Sequence, residues 1–185
     1  MRNKQSFSTN KGFTLIELLI VVALIGILAV ALLSAINPIE QMKKARDAGR
    51  KSDSAELLNA YERYYSTFGC YPWNGGAGTT CGSTTLSGAV NPGFAAGENS
   101  ERLLPTFSGE IKEQFKTRDS ITNSTVTKRL YVSETTAGAV SVCFEPESTN
   151  ARIGGLGPLR SVTNVAAATC TGTYPNQSCY VCVPQ

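Results

Sequence analysis

Residues 13–36 read FTLIELLIVVALIGILAVALLSAI, apolar apart from Thr14, Glu17, Gly26 and Ser34. From Leu18 to Ile36 nineteen consecutive residues carry no charge. As a helix that run extends about 28 Å, close to the ~30 Å hydrocarbon core of a bilayer. A helix in the core of a water-soluble domain is rarely so long and so uniform, so the run reads as a membrane segment. Glu17 is the anomaly. A carboxylate at mid-bilayer costs about 2.5–3.5 kcal/mol on insertion scales, so it needs the interface or a cationic partner. Its place near the start of the run lowers the cost. It reads either as an interfacial residue that snorkels or as a buried acid paired with a positive charge.

Upstream, residues 1–12, MRNKQSFSTNKG, are polar, with Arg2, Lys4 and Lys11 and no acid. Downstream come Lys43, Lys44, Arg46, Arg50 and Lys51. Counted alone, these charges keep the C-terminal part in the cytoplasm. The six cysteines, Cys70, Cys81, Cys143, Cys170, Cys179 and Cys182, argue the opposite. An even count fits disulfides, which persist in oxidising compartments. Zinc is the competing reading, but Cys179 and Cys182 form a C-x-x-C with no second such pair. Long domains translocate despite their charge, so the bulk of the chain is expected outside.

The whole chain has 185 residues, 42% hydrophobic and 17% charged, enough for a packed core. A net charge of +3 is too mild to point to nucleic acid. There is no histidine, which excludes a His-based triad and removes the commonest metal ligand. No G-x-S-x-G string occurs, and the carboxylates do not pair as acid and base. No Asp-rich run follows Asp119. The expectation is a chain that is not an enzyme and that binds neither metal nor cofactor.

Lys11-Gly12-Phe13-Thr14-Leu15-Ile16-Glu17-Leu18-Leu19-Ile20-Val21-Val22 resembles the N-terminal signal of type IV prepilins and the related pseudopilins. The likeness is dense over residues 11–30. It implies cleavage between Gly12 and Phe13 by a membrane aspartyl peptidase, which then methylates the new N-terminus, making Phe13 N-methylphenylalanine. Glu17 becomes the fifth residue of the mature chain. There the family's glutamate meets the N-terminal amine of a neighbouring subunit. The implied partners are the prepilin peptidase/methyltransferase, further copies of the chain in a filament, an inner-membrane assembly platform with its ATPase, and the membrane itself. The implied location is the cytoplasmic membrane, as a single-pass precursor with its C-terminal domain outside, and then an extracellular or periplasmic filament. Charge agrees with this. Removing residues 1–12 takes away three cations, leaving 14 basic against 14 acidic side chains and creating an α-amine four residues from Glu17.

The resemblance implies an α+β fold, the pilin lollipop: a long N-terminal helix packed on a small antiparallel C-terminal sheet. The divisions are a leader at 1–12, a transmembrane or filament-core helix at 13–36, an amphipathic continuation at 37–68 and a disulfide-bearing head at 69–185. Asn37-Pro38 should interrupt or kink the helix. Beyond it, Ile39, Met42 and Ala45, then Leu57, Leu58, Tyr61, Tyr64, Tyr65 and Phe68, form an apolar stripe that needs a sheet to cover it. The intervening charges, Asp47 and Arg50 among them, read as a solvated face. Binding of DNA or lipid headgroups is the rival reading of the basic cluster.

Gly69-Cys70-Tyr71-Pro72 ends the helix. Asn74 to Gly97 reads as a long loop, its first part closed by Cys70 and Cys81. Residues 98–104 and 109–117 read as short helices. Arg129 to Glu134 and Ala139 to Glu145 alternate like the strands of a hairpin, and the last eight residues read as a closing strand. Cys143 can then meet Cys182 across the sheet, with Cys170 and Cys179 closing the terminal loop, one of three pairings open to four cysteines. Two rival readings stand. One is a secreted domain cut after Ala29-Val30-Ala31 to begin at Leu32. The other is a singly anchored extracellular binding domain that never polymerises.

Overall fold

A computed structural model describes residues 12–74, 81–82, 86, 90, 92, 100–104, 108–122, 129–134, 138–153, 155–156, 159–160 and 179–184. The chain divides into two compact units, one ending at Pro38 and the other starting at Ile39.

The first unit is helix α1 (Leu15–Ala35), 21 residues in which no side chain is buried. Among the described residues it is the one helix long and apolar enough to cross a membrane. Ser34 Oγ donates to the Ala31 carbonyl at 2.8 Å, so its hydroxyl is satisfied within the helix. The helix stops at Ile36, which is extended (φ −106°, ψ 128°). The next residue, Asn37, precedes Pro38, and proline disfavours helical geometry in the residue before it, so the helix ends ahead of that pair. Helix α2 (Pro38–Phe68) then begins on the proline, where the missing N–H costs nothing. The expected interruption is therefore a full break, with a new helix starting on Pro38.

In the second unit, α2 buries Leu57, Leu58, Ala60, Tyr61 and Tyr64. They share one core with Leu103, Phe115, Leu130, Val132, Val142, Phe144 and Val181. Burying a side chain of this size contributes about 1.5–3 kcal/mol. Tyr65 and Phe68, at the end of the same stripe, stay half exposed. Ile39 and Met42, at its start, are exposed. Gly69 ends the helix in the left-handed region (φ 75°), donating its N–H to the Tyr65 carbonyl at 2.8 Å.

The sheet has four strands: β1 (Leu130–Glu134), β2 (Val140–Phe144), β3 (Leu159–Arg160) and β4 (Tyr180–Val183). Their order is β1-β2-β4-β3, and every neighbouring pair is antiparallel. The hairpin runs in register from Leu130↔Phe144 to Glu134↔Val140, and Gly138 in its turn takes φ 78°. Val90 makes an isolated antiparallel bridge to Val132. The hairpin and the closing strand fall where the alternation predicts them, and the fold is α+β. The two-residue β3 has no counterpart in the sequence reading. The expected short helices are 3₁₀ turns at Glu101–Leu103 and Glu113–Thr117, and the second leads into a single helical turn, α3 (Asp119–Thr122). Most of the 74–97 loop lies outside the described residues.

The expectation that Asp47 and Arg50 lie on a solvated face is overturned: both are buried. Asp47 accepts the backbone N–H groups of Glu147 (2.9 Å) and Ser148 (2.8 Å), and Arg50 Nη1 stands 3.5 Å from it. Arg50 also donates to Glu147 Oε1 at 2.7 Å and to the Glu145 carbonyl at 3.2 Å. Arg46 pairs with the other oxygen of Glu147 at 2.7 Å. Buried charges persist when paired and hydrogen-bonded, and here partners about a hundred residues away supply both. Ser148 caps the next turn, α4 (Thr149–Arg152), by accepting the Ala151 N–H.

Candidate functional site

The residues singled out at the N-terminus are Gly12, Phe13 and Glu17. Gly12, Phe13 and Thr14 precede α1, and Phe13 is largely exposed. Thr14 is the N-cap, with extended backbone (φ −80°, ψ 150°). Its hydroxyl accepts the Glu17 N–H at 3.3 Å. Glu17 reaches back, and its Oε2 accepts the Thr14 N–H at 2.9 Å and the Thr14 hydroxyl at 2.8 Å. This is a reciprocal capping box. It satisfies donors that a helix start leaves open and places a negative charge where the helix dipole favours it. The signal was present in the sequence, since Thr14-x-x-Glu17 ahead of an apolar run is the capping-box pattern. A reading of Glu17 as a charge in search of a cation passes over it.

The box involves Oε2 alone. Among the described residues nothing donates to Oε1, and no cation pairs with Glu17. Chemically, the carboxylate is held in a fixed place and still has an acceptor to offer. A cut after Gly12 would leave the box intact, because the Thr14 amide belongs to the bond between Phe13 and Thr14. A Cβ at Gly12 would touch nothing within 4 Å, and its φ is outside the left-handed region. The chain's own fold sets no steric demand for glycine there.

The cysteine sites lie in the second unit. Cys70 is bonded to Cys81, and Cys143 to Cys182. Cys143 and Cys182 are direct register partners on β2 and β4. Cys179 is buried and disulfide-bonded, while Cys170 lies outside the described residues. The segment around Cys70–Cys81 is tied to the hairpin through Glu134. One oxygen, Oε2, accepts the Trp73 indole N–H at 2.8 Å and the Leu86 N–H at 3.1 Å. Trp73 stacks on Tyr71 and meets Tyr61 edge-on. Sequence reasoning did not single out Glu134, whose partners lie tens of residues away.

The five cations after α1 divide sharply. Arg46 and Arg50 are held by Glu147, and Lys51 donates to the Leu156 carbonyl at 2.7 Å. Lys43 and Lys44 have no partner among the described residues. No group of three or more Cys, Asp or Glu side chains among the described residues is arranged to hold a metal ion.

No curated protein and no solved structure matches the chain. A protein family does: residues 7–33 match the prokaryotic N-terminal methylation motif. The match ends within α1 and takes in the whole capping box. The chain therefore carries, at residues 7–33, the signal of type IV prepilins and pseudopilins.

Proposed function

We propose that this chain is the precursor of a structural subunit that polymerises by stacking α1 against copies of itself, in a type IV pilus or a type II secretion-like pseudopilus. One observation carries the reading: the methylation motif coincides with an apolar, capped helix whose one charged residue, Glu17, lies in the first turn. In this reading residues 1–12 are removed, Phe13 is N-methylated and α1 stores the subunit in the cytoplasmic membrane. Gly12 then answers a demand made by the peptidase cleft, since the fold makes none. Glu17, with Oε1 open, meets the Phe13 amine of a neighbouring subunit and fixes the axial register. The second unit stays outside the membrane, where its disulfides are stable. The work is structural rather than catalytic, and it draws on the peptidase/methyltransferase, an assembly platform and an ATPase.

Mass spectrometry of the mature N-terminus, on chain purified from cells that contain the peptidase, tests the reading. A chain beginning at N-methylated Phe13 is expected. A chain beginning at Leu32 marks a secreted domain and one with Met1 intact marks a simple anchor; either result overturns the proposal.

A further inference from the structure

The first turns of α2 hold an apolar and cationic patch in which Ile39, Met42 and Lys44 are exposed and Lys43 is half-buried. Ile39 and Met42 are 65% and 61% exposed. With Lys43 they occupy positions i, i+3 and i+4, one face of the helix. Every other charge nearby is engaged. Glu40 is the one acid between Ile36 and Arg46, and it accepts the Thr149 N–H at 2.6 Å. Arg46, Arg50 and Lys51 are bound within the second unit. Only Lys43 and Lys44 remain, side by side and unpartnered among the described residues.

Their place along the chain suggests what they meet. The uncharged run ends at Ile36, and Lys44 follows eight residues later. Two extended residues up to Pro38 and six helical ones after it span at most about 16 Å, and a lysine stem reaches back several ångströms. The headgroup layer extends ~5–7 Å beyond the hydrocarbon on each side. By length of chain alone, the two ammonium groups come within reach of phosphate depth. Resting on the membrane-anchored reading above, we infer that Ile39, Met42, Lys43 and Lys44 form a collar that binds anionic phospholipid headgroups while the subunit is stored in the membrane. Each lysine close to an anionic surface is worth about a fivefold preference. Leaving the bilayer for a filament would then require that these contacts be released.

The test uses the full chain reconstituted in phosphatidylcholine bilayers. Electron spin resonance compares spin-labelled phosphatidylglycerol with spin-labelled phosphatidylcholine at the protein boundary. Wild type should restrict both lipids and prefer the glycerol lipid. Lys43→Gln with Lys44→Gln should lower that preference several-fold, up to about fivefold per lysine. Lys112→Gln with Lys116→Gln, in the second unit, should leave it unchanged. A preference that survives the Lys43/Lys44 double variant overturns the inference and leaves the membrane reading standing. Absence of any restricted lipid signal shows that the chain does not insert, and overturns both.

Discussion

At the scale of single residues, Glu17 decides the functional reading, and magnitudes separate its two roles. As a cap it helps to order the first turn of α1. A carboxylate at a helix N-terminus is worth about 0.3–1 kcal/mol. That is too little to control whether a 21-residue apolar helix forms in a membrane. In the proposed filament it would be the counter-ion of a neighbouring amine and neutralise two charges in a dry core, where an unpaired charge costs several kcal/mol. Glu17→Ala should therefore leave cleavage and methylation at Phe13 intact while abolishing or strongly reducing filaments. Mass spectrometry of the N-terminus together with the yield of sheared filaments checks both halves. Normal filament yield from the alanine variant would remove the charge pair from the mechanism.

At the scale of elements, what could be read in advance follows how local each determinant is. Helix α1, the stripe Leu57-Leu58-Tyr61-Tyr64, the stop at Gly69 and the hairpin β1–β2 each rest on periodicity or turn chemistry within about a dozen residues. They were legible for that reason. Asp47 and Arg50 were not. Two charges three apart on a helix look like surface until a loop a hundred residues away turns out to supply amide donors and a second carboxylate. The two-residue β3 exists only because β4 offers it an edge. The capping box was local and legible, yet the charge on Glu17 drew attention from its geometry.

The Asp47 network also shows how α2 is held to the segment that follows β2. Asp47→Ala leaves Arg50 short of a counter-charge and two buried N–H groups without an acceptor. Breaking a buried pair of this kind costs about 3–5 kcal/mol. Asp47→Asn should fare little better, since its NH₂ would face an N–H that also donates. Denaturant titration of the full chain in detergent, followed by Trp73 fluorescence, should show both losses. A change under ~1 kcal/mol for the alanine variant would mean that the loop is held by Arg46, Arg50 and Glu147 without Asp47.

At the scale of the whole molecule, covalent and acid–base chemistry both limit where the second unit is stable. Among the described residues two disulfides join it at separate places: Cys70–Cys81 just past α2, and Cys143–Cys182 across β2 and β4. A reducing cytoplasm would open such bonds, which favours the orientation with this unit outside the membrane. Beside the second bond, Tyr131 is the register partner of Cys143, and its ring meets Tyr180 edge-on at 5.6 Å. Burial, with Tyr180 and Glu145 nearby, pushes the Tyr131 phenol up to about 12. Burial also raises Tyr180, and it raises Tyr61, whose hydroxyl shares a hydrogen bond with Ser100. A phenol whose folded pKa exceeds its unfolded value of ~10 stabilises the fold fully below that value. As the pH climbs from ~10 to about 12, the unfolded chain releases the proton first and the stability drains away. The denaturation midpoint should therefore hold steady below pH ~10 and fall above it. Tyr131→Phe removes one titrating group while keeping the ring, so the fall should be shallower in that variant. Parallel alkaline limbs in wild type and variant would show that Tyr131 ionises as freely in the fold as in the unfolded chain.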